Sequence, residues 1–184
     1  DDFDPVDSDY VRWHGSHVAG IIGAQANNGT GMLGMAPNVT IMSVKIFWTK
    51  SRATTSSVIR GINFAKHNGA KVINASFGWG PFTPTTLSEF DLLTYNAIQD
   101  FPGIFVAAAG NNHANSDFGR FYPASYGTDL VVSGESLDAF GQVVLSWEVV
   151  IPWLQNIISV AASVDDWKER SGVATLGRMA VHNP

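Results

Sequence analysis

The chain has 184 residues, 45% hydrophobic and 15% charged, with a formal net charge of −5 and no cysteine. That length and composition suit a globular α/β domain with a sizeable core rather than a disordered chain. The missing cysteines exclude disulfides, thiolate catalysis and Cys-ligated zinc. The acidic balance, without a basic cluster, argues against a nucleic-acid or anionic-membrane partner, and no apolar run is long enough to span a bilayer.

Residues 1–9 carry five aspartates around Pro5 and Ser8. They read as a solvated loop, with cation binding as the rival reading. Trp13-His14-Gly15-Ser16-His17-Val18-Ala19-Gly20-Ile21-Ile22-Gly23 then sets a histidine at the start of a thin helix. Val18, Ile21 and Ile22 fall at helical spacing and are expected to form its buried face. Interior glycines cost a helix about 1 kcal/mol each relative to alanine, so their density here implies close packing. By itself the stretch reads first as a buried glycine-rich helix with two structural histidines, ahead of a functional one. Asn27-Asn28-Gly29-Thr30-Gly31 is turn-rich and could offer oxygen ligands to calcium, although it holds no carboxylate.

Residues 40–47 are β-prone and apolar, which predicts a buried strand. A helix is expected over 55–68, with face Val58, Ile62 and Ala65, a cap near Ser56 or Ser57, and Asn68-Gly69 as its stop. Residues 71–76 read as a strand. Thr86-Leu87-Ser88-Glu89 has the form of a capping box opening a helix to about residue 100. Phe101-Pro102-Gly103 ends that helix, and residues 104–109 form an apolar strand. Strand, helix and strand in alternation imply right-handed crossovers and a parallel sheet.

In such sheets ligands sit beyond the carboxyl ends of the strands. Ser76-Phe77-Gly78 and Ala109-Gly110-Asn111 fall there, so small residues and one carboxamide gather at the expected crevice. Phe121-Tyr122-Pro123-Ala124-Ser125-Tyr126 reads as an ordered turn. Residues 127–155 are apolar without a clean period, 156–163 are a strand again, 165–170 a charged turn, and 171–184 ambiguous.

Several of these blocks, in this order, resemble the subtilisin-like serine proteases. His14-Gly15-Ser16-His17-Val18-Ala19-Gly20 is similar to the catalytic-histidine block, which usually carries Thr where Ser16 stands. Gly34-Met35-Ala36-Pro37 and the run to Phe47 resemble the family's next segment. Val72-Ile73-Asn74-Ala75-Ser76-Phe77-Gly78 resembles the substrate-edge strand, and Val106-Ala107-Ala108-Ala109-Gly110-Asn111 the oxyanion-hole block. Tyr122-Pro123-Ala124 and Asn156-Ile157-Ile158-Ser159-Val160-Ala161-Ala162 are similar to later core pieces.

The resemblance implies a three-layer subtilisin-like α/β fold, a mostly parallel sheet flanked by helices, incomplete at both ends. It implies peptide hydrolysis with His14 as general base and the Asn111 amide as oxyanion donor. Ser76, Phe77 and Gly78 would pair with an extended polypeptide substrate. Ala108, Ala109 and Gly110 would face the pocket for the side chain before the scissile bond, leaving room for a large one. For Asn111 a cap or turn role, and for the small residues mere close packing, stand as the plainer readings. No cofactor is required for the chemistry; a structural calcium is left open, assigned to no residue. Secretion, or another extracytoplasmic location, is the family expectation.

Two departures qualify this. None of Asp1, Asp2, Asp4, Asp7 or Asp9 matches the catalytic aspartate's strand, and no Gly-Thr-Ser-Met-Ala nucleophile block occurs. The chain therefore reads as a central piece of a catalytic domain, inactive in isolation; a non-catalytic, peptide-binding relative is the alternative. Residues 127–155 stand where the family has only a few, and read as an insertion or as sequence foreign to the fold, packing poorly or lying outside. A zinc site on His14 and His17 is disfavoured, because the helical zinc pattern spaces histidines four apart beside a glutamate.

Overall fold

The computed structural model describes residues 14–47, 53–82, 88–111, 119–128, 130–137, 140 and 142–160, with backbone alone at 81, 82, 89, 130–137, 143–149 and 151. The sequence readings on 1–9, Thr86, 161–163 and 165–184 lie outside the described residues. The chain forms two compact units, residues 1–70 and 71–184.

The first unit contains two helices, α1 (His14–Gly23) and α2 (Thr55–His67). The last carbonyls of a helix lack intrahelical partners. Here the returning chain supplies two of them: Met35 donates to the Ile21 carbonyl at 3.0 Å and Ala36 to that of Ile22 at 2.7 Å. Gly34 is buried at this junction, and a Cβ there would fall 2.7 Å from the Gly23 nitrogen, so only glycine fits. The expected buried face of α1 needs correction. No residue of α1 is buried, and Ile21 is 44% exposed. The close packing predicted from its glycines sits at the last turn instead, where a Cβ on Gly23 would lie 3.0 Å from Ile41 Cδ1, while Gly20 faces open space.

α2 follows its sequence pattern. Val58, Ile62 and Ala65 are buried on one face, and full burial of an aliphatic side chain stabilises by about 1.5–3 kcal/mol. Its cap is Thr54, earlier than Ser56 or Ser57: the Thr54 side chain accepts from the Ser57 nitrogen at 3.1 Å, and Ser57 Oγ accepts from that of Thr54 at 3.0 Å. Asn68 closes the helix and Gly69 follows at φ 78°. Residues 40–47 form no strand. A strand needs a neighbour to pair with, and the described residues of this unit offer helices. The stretch lies on α2 instead, where a Cβ on Gly61 would meet Val44 and Ile46.

The second unit holds β1 (Val72–Ala75), β2 (Trp79–Phe82), α3 (Glu89–Gln99), β3 (Ile104–Ala108), β4 (Arg120–Tyr122), a 3-10 turn (Ala124–Gly127), β5 (Leu130–Leu137), β6 (Val143–Ile151) and β7 (Ile157–Val160). Its main sheet has the order β1-β3-β7, parallel throughout. The mostly parallel α/β architecture expected from the sequence is what is found. Two antiparallel ribbons, β2-β4 and β5-β6, accompany it. The core gathers Ile98 and Phe101 from α3 and the turn after it, Phe105 and Ala107 from β3, Tyr126 from the 3-10 turn, and Leu154.

Two sequence readings change here. The capping box of α3 is Ser88 with Asp91, not Thr86 with Glu89: Ser88 Oγ accepts from the Asp91 nitrogen at 3.2 Å, and Asp91 Oδ2 accepts from that of Ser88 at 3.1 Å. Both pairs satisfy the same spacing, and only the later one starts where the helix starts. Residues 127–155 are not patternless. Residues 130–151 form a regular hairpin, and the chain leaving it enters the core: Leu154 is 3% exposed, its nitrogen donates to the Tyr126 carbonyl at 2.8 Å, and Tyr95 Oη donates to the Pro152 carbonyl at 2.7 Å. The hairpin pairs with no other strand among the described residues.

Candidate functional site

The site arises from the register of β1 and β3. Val72 pairs with Ile104 and Ala75 with Ala107, so both strands end on the same side. Their prolongations, Ser76-Phe77-Gly78 and Ala109-Gly110-Asn111, leave the sheet on that side, and a Cβ on either Gly78 or Gly110 would meet the ring of Phe121. The Ala109 nitrogen still donates to the Val160 carbonyl at 2.9 Å. Gly110 then turns the chain at φ 95°, in the left-handed region that favours glycine. Asn111 comes next, exposed. The carboxamide of Asn111 thus stands beyond the carboxyl end of β3, where parallel sheets hold their ligands.

Ser76 Oγ accepts from Asn74 Nδ2 at 2.8 Å, which fixes the hydroxyl beside the backbone. Among the described residues β1 pairs with β3 alone.

The second unit also holds a polar network that the sequence reading missed. The buried Asp91 carboxylate accepts from Trp79 Nε1 at 2.9 Å and from Ser88 Oγ at 2.6 Å, and its main-chain carbonyl accepts from Tyr126 Oη at 2.9 Å. One residue thereby joins β2, the start of α3 and the 3-10 turn. Tyr126 packs edge-on against Tyr95, ring centroids 5.7 Å apart, and tilted against Tyr122 at 4.8 Å. Burial pushes the phenols of Tyr95, Tyr122 and Tyr126 above their ordinary range, and the Asp91 carboxylate adds to this at Tyr122 and Tyr126. The readable signal was Asp91 itself, an acid three residues after a serine at a helix start.

His14 belongs to the first unit. It is the first residue of α1 and exposed, as is His17 one turn on. Ser76, Phe77, Gly78, Ala108, Ala109, Gly110 and Asn111 belong to the second unit, and the structure brings those seven together. Among the described residues no group of three or more His, Asp or Glu side chains is placed to hold a metal ion, and no helix is long and apolar enough to cross a membrane.

The sequence model of the subtilase family, Peptidase S8, matches residues 1–177, and the chain belongs to that family. It is similar to the thermophilic serine proteinase of Bacillus sp. (strain AK1), 34% identical over 166 residues, covering 88% of this chain and 39% of that one. Subtilisin DY of Bacillus licheniformis is 36% identical over 145 residues, covering 76% and 50%. Among solved structures, the prenylagaramide maturation protease PagA superposes with a TM-score of 0.52 at 28% identity, over 71% of this chain and 45% of that one. The chain spans half or less of the length of these relatives.

Proposed function

We propose that the protein is a serine endopeptidase of subtilisin type. The carrying observation is the exposed carboxamide of Asn111 at the carboxyl end of β3, the strand that pairs in parallel with β1. An extended polypeptide adds along Ser76-Phe77-Gly78 as an extra strand. A serine hydroxyl attacks the scissile carbonyl while His14 accepts its proton. Negative charge gathers on the carbonyl oxygen, where Asn111 Nδ2 donates a hydrogen bond that strengthens as the charge develops. His14 then returns the proton to the leaving amine. The chemistry needs no cofactor. The serine and the carboxylate that orients His14 are assigned to none of these 184 residues. The same reading puts the protein outside the cytoplasm.

A non-catalytic, peptide-binding relative is favoured by one fact, the absence of a Gly-Thr-Ser-Met-Ala sequence from these residues. The full-length gene product separates the two. A fluorophosphonate probe should label one serine, and peptide hydrolysis should fall by several orders of magnitude in His14→Ala; the corresponding loss in subtilisin, a member of this family, is about 10⁶ in kcat. Peptide binding without labelling or turnover would establish the second reading.

A further inference from the structure

Three glycines converge on one aromatic ring. A Cβ built on Gly110 would lie 3.1–3.2 Å from Cγ, Cδ1 and Cδ2 of Phe121. One on Gly78 would lie 2.8 Å from Cζ of the same ring, and one on Gly80 would lie 3.4 Å from Cδ2. Gly78 prolongs β1 and Gly110 prolongs β3, so the ring occupies the gap between the two prolongations. Its main chain is held in place: Phe121 is the middle residue of β4, paired with β2, and its nitrogen donates to Ser125 Oγ at 2.9 Å. The ring packs against both prolongations and is itself half-buried.

The sequence alone pointed the other way. Alanines and glycines around a cleft suggest room for a large side chain, but here the room made by Gly78, Gly80 and Gly110 is filled from within the chain. Asn111 directly follows Gly110. On the reading of the preceding subsection, which this inference rests on, Asn111 holds the carbonyl under attack. The side chain of that same substrate residue then enters beside Gly110, against the ring.

We infer that Phe121 is a specificity-determining residue that forms a raised floor, and that the substrates are polypeptides with glycine, alanine or serine before the scissile bond. A small side chain rests on the ring. A leucine or phenylalanine needs the volume the ring already fills, and forcing extra carbons into a filled site is costly. A difference of even one methylene is worth about 10–200-fold in kcat/KM, so the discrimination should be easy to read.

The test uses the full-length gene product and two peptide substrates identical except for alanine or phenylalanine before the scissile bond. The wild-type protein should favour alanine by at least about tenfold in kcat/KM. In Phe121→Ala that ratio should move toward phenylalanine by at least about tenfold, and in Phe121→Leu by less. The leucine variant and the wild-type ratio keep the test decisive should the alanine variant not fold. Wild-type preference for phenylalanine, or a ratio unmoved in a folded variant, would overturn the role of Phe121 alone. Absence of turnover on every peptide would overturn the peptidase reading and this inference together.

Discussion

The hydroxyl of Tyr126 donates to the main-chain carbonyl of Asp91 at 2.9 Å, joining the 3-10 turn to the first turn of α3 across 35 residues. Tyr126 is fully buried, and Tyr126→Phe removes this bond while the carbonyl keeps its place in the helix ladder. Losing one such bond costs about 0.5–1.5 kcal/mol, so urea denaturation at pH 7 should show that decrease.

The same phenol gives the protein an alkaline limit. Burial, then the charge of Asp91 and the neighbouring Tyr122, hold the Tyr126 pKa far above 10.0 in the folded state. The unfolded chain therefore releases this proton first as pH rises. The contribution is fully present below about pH 10 and is lost above it, by up to about 1.4 kcal/mol per pH unit. Stability plotted against pH from 8 to 11 should fall more gently in Tyr126→Phe than in the wild type; parallel curves would contradict this.

Asn156 closes the other end of α3. Its side-chain nitrogen donates to the carbonyls of Ile98 at 2.8 Å and Phe101 at 2.9 Å, two acceptors of the kind that helix ends leave unpaired. Asn156→Ala should destabilise by about 1–3 kcal/mol, and Asn156→Asp by at least as much, because a carboxylate cannot donate to either carbonyl. Thermal denaturation of both variants is the check.

Much of this was legible in advance. The buried face of α2 and the strands on either side of α3 come from apolar period and from Gly and Pro punctuation, signals that depend on few neighbours. What failed depended on pairing. Residues 40–47 have the composition of a strand, but among the described residues of their unit no strand stands beside them. The hairpin hid its period because apolar residues follow one another in both strands, as in Leu130-Val131-Val132 and Val149-Val150-Ile151, so no alternation shows in the sequence. At the site, the blocks ending in Gly78 and Asn111 could be read in order, whereas the ring of Phe121 between them could not, since nothing local links residue 121 to residues 78 and 110.

The hairpin should be removable. Leu130 pairs with Ile151 at its open end, which puts their Cα atoms about 4.5–5.5 Å apart. Deleting 130–151 and bridging the ends with two glycines should leave the protein folded, with a melting temperature within about 3 °C of the wild type, equivalent to roughly 1 kcal/mol. A larger drop would show that the hairpin supports the core.

Gly110 carries two constraints, its φ of 95° and the ring against it. Gly110→Ala should therefore both strain the backbone, by about 1–2 kcal/mol, and displace Asn111. Turnover by the full-length gene product should fall more than its stability does; an unchanged kcat in a folded variant would show that the turn does not position the amide.

Asn111 offers the most direct measurement of all. In the full-length gene product, Asn111→Leu keeps the bulk of the side chain and removes the donor. If the amide stabilises the oxyanion, kcat should fall about 10²–10³-fold with KM little changed, a range that comes from subtilisin itself, a member of this family. A kcat within about threefold of wild type, or a change confined to KM, would contradict the account, because a group that acts only in the transition state cannot be lost without cost to kcat.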